Sequence, residues 1–480
     1  MLNQRESDSQ TALARELRNE KSETPPIHHL CSEQRLGEFS INDDPSWVCC
    51  PVFLRAPLVL RFIRFSARWC WRAILLLVLL ANLRLYAPSP LAPDDDQLPA
   101  KLIAQLNANR IAIDSGAGND MQNFFPEGFY FCHALHGLTW VEAALRDPSQ
   151  TEHAIAQAKL TVAALESQDG KAPFPANLPP DHGMFYCAWK ADLQAGIALL
   201  TDGKDLDQLQ RLRTECDEIA KSLAAATTPF LASYVGSAWP CDTFPAIHAL
   251  VVYDRVTQED RYAATVAKWL SDVHQRLDST TGLVSHTSSL PDGNSVSIAR
   301  ATSQVIILRF LADIDPEFAK EQYTTFRDKF LTTFFGIPSV LEYPKGVRGQ
   351  GDVDSGPLIF GRSLSATVLM MGAAQIYGDI DQAHAIAQAG EVVGLPWTSG
   401  EKKRYVGGVL PVGDIIVAYS HVARPWFSTT EHVPQKPIAL SRFWRWKTHA
   451  ASLCFVIPTV FRIWRRRKSH SDNGEDEMND

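Results

Sequence analysis

A chain of 480 residues that is 45% hydrophobic and 21% charged carries enough apolar material for one large core or two ordinary ones. Its formal net charge of -8 gives no basic face of the kind a nucleic-acid partner needs. The nine cysteines form no CxxC pair and no Cys/His zinc spacing, and the adjacent Cys49 and Cys50 are badly placed for a shared bridge or a tetrahedral site.

In chain order, residues 1–50 mix Gln, Glu, Ser, Asn and Arg with little apolar periodicity, which predicts a flexible tail. Residues 51–87 change character. Arginines alternate with large apolar groups over 51–65, as in an interfacial segment, and 69–87 (WCWRAILLLVLLANLRLYA) then reads as a transmembrane anchor with Trp69, Trp71 and Tyr86 at its edges. Arg55, Arg61, Arg64, Arg68 and Arg72 precede this stretch and a Pro/Asp segment follows it, which predicts a cytoplasmic N-terminus and an extracytoplasmic, periplasmic-type domain over 88–435. Residues 436–468 contain a second apolar run, 449–464, followed by Arg465, Arg466, Arg467 and Lys468. Interfacial and crossing readings both stay open there, so the expectation is a single- or double-pass protein of the cell membrane in contact with lipid. An acidic tail, 469–480, closes the chain. Disulfides among Cys132, Cys187, Cys216 and Cys241 would require that the central region is exported.

About twelve helical stretches are expected between Leu98 and His421: 98–113, 127–146, 151–167, 183–200, 206–226, 243–256, 260–276, 297–312, 316–333, 358–377, 380–390 and 413–421. Tight turns such as Arg146-Asp147-Pro148, Thr201-Asp202-Gly203 and Tyr377-Gly378-Asp379 follow the second, fourth and tenth, and longer Gly/Pro/acid loops precede each even one. Helices joined by tight turns are antiparallel neighbours, and the even set holds the most uniformly apolar members. The predicted fold is therefore all-α, an (α/α)6 toroid of inner and outer helices whose long loops gather at one end.

At that end the loops carry carboxylates. Asp242 follows Trp239-Pro240-Cys241 and leads into an apolar helix; Glu127 follows Phe125-Pro126; Asp352 and Asp354 lie in a glycine-bounded loop. Each suits an N-cap or the positive end of a helix dipole, and Cys241 suits a core, so structural roles remain open. Brought together, however, buried carboxylates can divide general-acid and general-base work. The candidate catalytic set is Glu127, Asp242, Asp354, Cys241 and His286. Trp239, Tyr186, Trp189, Lys190, Asp352 and Tyr343 are candidate substrate contacts, although the aromatics equally suit a core and Lys190 equally suits pairing with a nearby acid. His133 and His136 lie three apart on one helix with no supporting carboxylate pattern, so no metal and no cofactor is predicted.

The central region resembles the linalool dehydratase/isomerase-like proteins. The stretches that carry this are Pro240-Cys241-Asp242 followed by residues 250–255 (LVVYDR), Arg261-Tyr262-Ala263-Ala264-Thr265 with Trp269, Asp315-Pro316-Glu317-Phe318 leading into Tyr323-Thr324-Thr325-Phe326, and residues 352–356, all within 129–396. The resemblance implies an exported (α/α)6 barrel that adds or removes water and shifts double bonds in terpene alcohols without a cofactor. It places Cys241 at a pocket cysteine and His286 near a functional tyrosine of that family. Ala232 stands where a second family cysteine would be, and Lys190 where the family has a catalytic histidine. The expected function is a cofactor-independent lyase or isomerase acting on a small molecule; a carbohydrate-active enzyme with a sugar substrate, or a non-catalytic envelope binding or assembly module, are the alternatives.

Overall fold

The computed structural model describes residues 56–91, 97–427 and 444–476. The tail expected over 1–50 lies outside them, as do 92–96 and 428–443. Contacts divide the chain into Met1–Ser66 and Ala67–Asp480, and all the packing considered below belongs to the second body.

The fold is all-α in class, with two small sheets as its only strands among the described residues. Helices follow from sequence pattern. In α3 (Gly128–Arg146), α5 (Met184–Leu200) and α7 (Thr243–Thr257) apolar side chains cover nearly the whole circumference, and nearly all of each helix is buried. The same is true of α9 (Ala301–Ile314). In α6 (Leu206–Ala225), by contrast, only Leu212, Cys216, Ile219, Ser222 and Leu223 are buried, one stripe at helical spacing on an otherwise charged cylinder. Helix starts use local chemistry: Asp205 caps α6 by accepting from Gln208 N, and Asp315 caps α10 (Pro316–Phe330), which has proline at its first position.

The apolar helices pack on one another in sequence. α3 touches α5, α5 touches α7, α7 touches α9, α9 touches α11 (Leu364–Ile376), α11 touches α13 (Pro411–Val422), and α13 returns to α3. The amphipathic helices cover them from outside: α4 (Thr151–Leu165) lies on α3 and α5, α6 on α5 and α7, α8 (Ala263–His274) on α7, α10 on α9, α12 (Ile380–Val393) on α11, and α2 (Ala100–Asp114) on α13 and α3. Every one of the twelve expected stretches is helical over most of its length.

Several boundaries shift by a few residues, and at two of them a strand intervenes. The helix expected over 316–333 stops at Phe330, because the β-branched and aromatic run after it forms β1 (Leu331–Phe334), antiparallel to β2 (Ile337–Leu341) with Leu331 opposite Val340. The helix expected from 358 begins at Leu364, since β3 (Arg362–Ser363) pairs with β2 first. A second hairpin, β4 (Trp397–Ser399) with β5 (Lys402–Arg404), sits against α2.

The membrane expectations are overturned. Among the described residues no helix is long and apolar enough to cross a membrane. In α1 (Ala56–Arg84) the run free of charge extends only from Ala73 to Leu83, between Arg72 and Arg84, whereas a span needs about 20 apolar residues. Polar groups in this stretch have protein partners instead. Asn82 donates to Ser452 Oγ at 2.7 Å and faces His449 Nδ1 at 2.6 Å, Trp71 Nε1 donates to Thr459 Oγ1 at 2.8 Å, and Arg84 donates to the carbonyls of Glu391 and Pro396. Residues 449–464 belong to α14 (Trp444–Asp476), which contains Pro458 and Arg462 and runs into the stretch expected to be acidic tail. Neither an anchor at 51–87, nor a crossing at 449–464, nor a single- or double-pass membrane location survives this.

Candidate active site

The loops entering α3, α7, α9 and α11 supply the site. Glu127 is the N-cap residue of α3 but makes no capping hydrogen bond. The chain passes so close to Met121 here that a Cβ on Gly128 would lie 2.4 Å from the Met121 carbonyl oxygen, so glycine alone lets α3 begin at this point. Asp242 ends a short 3-10 turn, Pro240–Asp242, and although it precedes α7 it too makes no capping bond. Asp354 does not cap α11; Ser363 does, accepting from Ala366 N at 3.1 Å. The capping role open for each acid is thus unused in all three, although Glu127 and Asp242 still stand at the positive ends of α3 and α7.

These acids act on one another. The Tyr234 hydroxyl hydrogen-bonds the Glu127 carboxylate, and the charges of Asp242, Glu127 and Asp354 all bear on Tyr234. Burial pushes the Asp242 carboxyl up to about 7, and the charges of Asp354 and Glu127 add to this against hydrogen bonds from Ser233 and Cys241. Asp354 keeps contact with solvent, yet the protein around it and the charges of Asp352 and Glu127 raise it to about 6 against the pull of Arg300. Among the described residues none of the three makes a salt bridge.

Asp352 behaves oppositely. Burial works to raise it, but its bond to Arg300 Nη1 and the amide of Ser355, 3.0 Å from Oδ1, hold it at about 2. Arg300 also donates through Nε to Glu342 Oε1 at 2.8 Å, with Thr302 Oγ1 donating to the same oxygen at 2.7 Å, and its guanidinium lies over the Tyr343 ring. His286 sits between Arg300 and Ser303, and burial together with the Arg300 charge holds it near 4, so it is neutral at physiological pH. The Cys241 thiol, fully enclosed and beside Asp242, is pushed well above its usual range.

An aromatic wall adjoins the acids. Tyr234 meets Trp239 edge to face at 5.3 Å and stacks near Phe174 at 6.0 Å, and Phe174 stacks on Phe185 at 5.6 Å.

The structure therefore brings together Glu127, Cys241, Asp242, His286, Asp352 and Asp354, with Trp239 and Tyr343 beside them. It does not bring Lys190, Tyr186 or Trp189 to the acids. Lys190 pairs with Glu215 of α6 at 2.6 Å, Trp189 is core packed on Phe131 and Phe310, and Tyr186 is buried with its hydroxyl donating to the Leu165 carbonyl. Cys132, Cys187, Cys216 and Cys241 are all free thiols. Among the described residues no group of three His, Cys, Asp or Glu side chains is placed to hold a metal ion. Sequence reasoning passed over Tyr234, Ser233 and Ser303. Tyr234 lies eight residues before Asp242 in the sequence, whereas a lone serine, in a loop as Ser233 or on a helix as Ser303, carries no comparable signal.

Charged groups also lie among the inner helices, away from the loops. Arg309 pairs with Glu142 and stacks on the Tyr419 ring. His248 bridges Asp192 Oδ1 at 2.5 Å and Asp313 Oδ2 at 3.6 Å, while Asp313 accepts from the amides of Trp426 and Phe427 at 2.8 and 3.0 Å. Burial alone would deprotonate His248, but the two carboxylates hold it up to about 9, and Asp313 is held at about 2 against its own burial. No protein-family model matches the chain, and no curated protein matches it.

Proposed function

We propose that the ring of inner and outer helices is an (α/α)6 toroid and that the carboxylates at its loop end catalyse a cofactor-independent lyase or isomerase reaction by proton transfer. The observation that carries this reading is the placement of Glu127, Asp242 and Asp354, neither capped nor salt-bridged, around Tyr234 beside an aromatic wall, with Asp242 raised by burial and by the Asp354 charge and Asp354 raised by the protein around it and the charges of Asp352 and Glu127. Separated proton affinities in one site are what acid/base catalysis needs. The resemblance of residues 129–396 to the linalool dehydratase/isomerase-like proteins is carried into the proposal as a scaffold and a reaction type.

Asp242, which keeps a substantial protonated fraction at neutrality, is the general acid. It gives its proton to a substrate hydroxyl; the C–O bond breaks and its electron pair leaves with water. Asp354 or Glu127 takes a proton from the adjacent carbon, whose C–H electrons form the double bond. The base returns its proton to solvent and Asp242 is reprotonated, so the net change is loss of one water. Carboxylates and the faces of Tyr234 and Trp239 favour the cationic character that develops when the C–O bond breaks. Cys241 borders Asp242 as pocket wall and polarising donor.

The test uses neutral tertiary and allylic alcohols in 18O-labelled water, with mass spectrometry for label exchange and alkene. Exchange by the wild type that falls about 10²- to 10⁴-fold in Asp242→Asn and Asp354→Asn supports the reading. Exchange undiminished in both variants contradicts it. Two acids beside stacked aromatics also suit a sugar ring, and hydrolysis of a glycoside panel without alcohol exchange would favour the carbohydrate-active alternative.

A further inference from the structure

The hydrogen bonds around His286 have a determinable direction. A guanidinium has donors only, so Arg300 Nη1, 3.2 Å from His286 Nε2, must donate and Nε2 must accept. A neutral imidazole that accepts at Nε2 carries its hydrogen on Nδ1, and Nδ1 lies 2.6 Å from Ser303 Oγ, which therefore accepts. The Ser303 hydroxyl is left to donate, and it faces the Cys241 thiol, whose proton affinity it lowers as a donor to the sulphur does. Cys241 Sγ in turn lies 3.6 Å from Asp242 Oδ1, with the thiol as donor. Arg300 at the head of this chain is fixed by Glu342 and Asp352, and Glu342 is itself held by Thr302.

We propose that Arg300, His286 and Ser303 are positioning residues whose one-way chain of donated hydrogen bonds, passing through Cys241, ends on Asp242 Oδ1 and so keeps the transferable proton of Asp242 on Oδ2. None of the three touches the reacting atoms. Their role is to fix which carboxyl oxygen delivers the proton and to set how readily it leaves. The use of that proton rests on the acid/base reading given above; the direction of the chain does not. The charged groups facing Asp242 are Asp354 and Glu127, and those facing His286 are Arg300 and Asp352.

The chain is tested on the full-length protein with 15N-labelled histidine. The expected His286 signal is that of a neutral ring protonated on Nδ1, unchanged from pH 5 to 8. A ring protonated on Nε2, or one that titrates in that window, overturns the proposal. A second measurement follows the Asp242 midpoint by 13C carboxyl NMR. His286→Ala should raise it, because Ser303 and then Cys241 lose the polarising donor and Asp242 accepts a weaker bond. His286→Asn, which keeps an N–H where Nδ1 was, should restore the wild-type midpoint. Equal midpoints in wild type and His286→Ala, with both folded by thermal melt, overturn the chain, since a role in packing alone would leave the midpoint unmoved. Absence of turnover with the expected tautomer and midpoint shift contradicts the lyase/isomerase reading while leaving the chain standing.

Discussion

Two regions of this molecule bury carboxylates, and they resolve the burden differently. Among the inner helices three buried acids have a cation: Glu142 has Arg309, and Asp192 and Asp313 share a protonated His248, whereas Asp414 of α13 has none among the described residues, accepts from the Tyr405 amide and is raised to about 6. At the loop end Glu127, Asp242 and Asp354 have no such partner, and Asp242 and Asp354 respond by holding their protons towards neutral pH. The presence of a counter-charge distinguishes the Glu142, Asp192 and Asp313 network from the loop-end acids, of which Asp242 is buried while Glu127 and Asp354 keep contact with solvent.

That contrast sets an order of expected effects. The largest belongs to the inner network. Arg309→Met leaves Glu142 buried without its cation and should remove about 3–5 kcal/mol of stability, read by denaturant unfolding. Asp242→Asn should do the reverse, abolishing most turnover while leaving the protein as stable as wild type or more so at pH 7; a loss of several kcal/mol there would make Asp242 a structural residue. Next is the alkaline limb. His248 is raised from an ordinary value of about 6.5 to about 9, so its contribution is whole below 6.5 and is lost as pH climbs towards 9. Melting temperature should fall across that window in the wild type and less so in Asp192→Asn, compared over the same range. Smaller still is Gly183→Ala. Gly183 has φ +86°, and an added Cβ would lie 2.5 Å from the Ser233 carbonyl oxygen. Strain there should reduce stability by about 1–3 kcal/mol and shift the neighbouring Tyr234, seen as reduced turnover. Tyr234→Phe removes only the bond to Glu127 and should reduce stability by about 1 kcal/mol or less while altering the pH profile of turnover.

How much of this could be read from residues alone varies with the physics involved. The inner helices were legible because burial on all sides demands apolar residues all round, as in residues 128–146, and the outer ones because a single stripe such as Leu212, Cys216 and Ile219 can bury only one face. Glu127, Asp242 and Asp354 were legible as loop carboxylates entering such helices. That Asp352 would be taken by Arg300 was not, since the two are 52 residues apart and only folding pairs them. His286 could be singled out, but its direction of donation depends on what lies at each ring nitrogen, which no spacing encodes. The inner network escaped notice because Asp192, His248 and Arg309 are single charges within apolar helices, with partners on other helices. Residues 69–87 misled for a related reason. Hydropathy registers apolar side chains but not the partners of the polar ones among them, and those of Asn82 and Trp71 lie more than 350 residues away in α14. The strand Leu331–Phe334 was absorbed into the preceding helix because its pairing partner, not its own length, decides its state.

The central claim is that Asp242 is a proton donor rather than a helix cap, and its titration tests this most directly. Unfolded, its carboxyl titrates near 4; folded, it is held up to about 7. Between those values the native state keeps a proton that the unfolded state has lost, so wild-type stability must fall as pH rises from 4 to 7 and level off above. Measured against Asp242→Asn, which cannot titrate there, the wild type should lose stability steadily over that range, by up to about 4 kcal/mol in all at 1.36 kcal/mol per pH unit. A difference between the two proteins that stays flat from pH 4 to 7, with the Asp242 carboxyl resonance titrating near 4, would contradict the account.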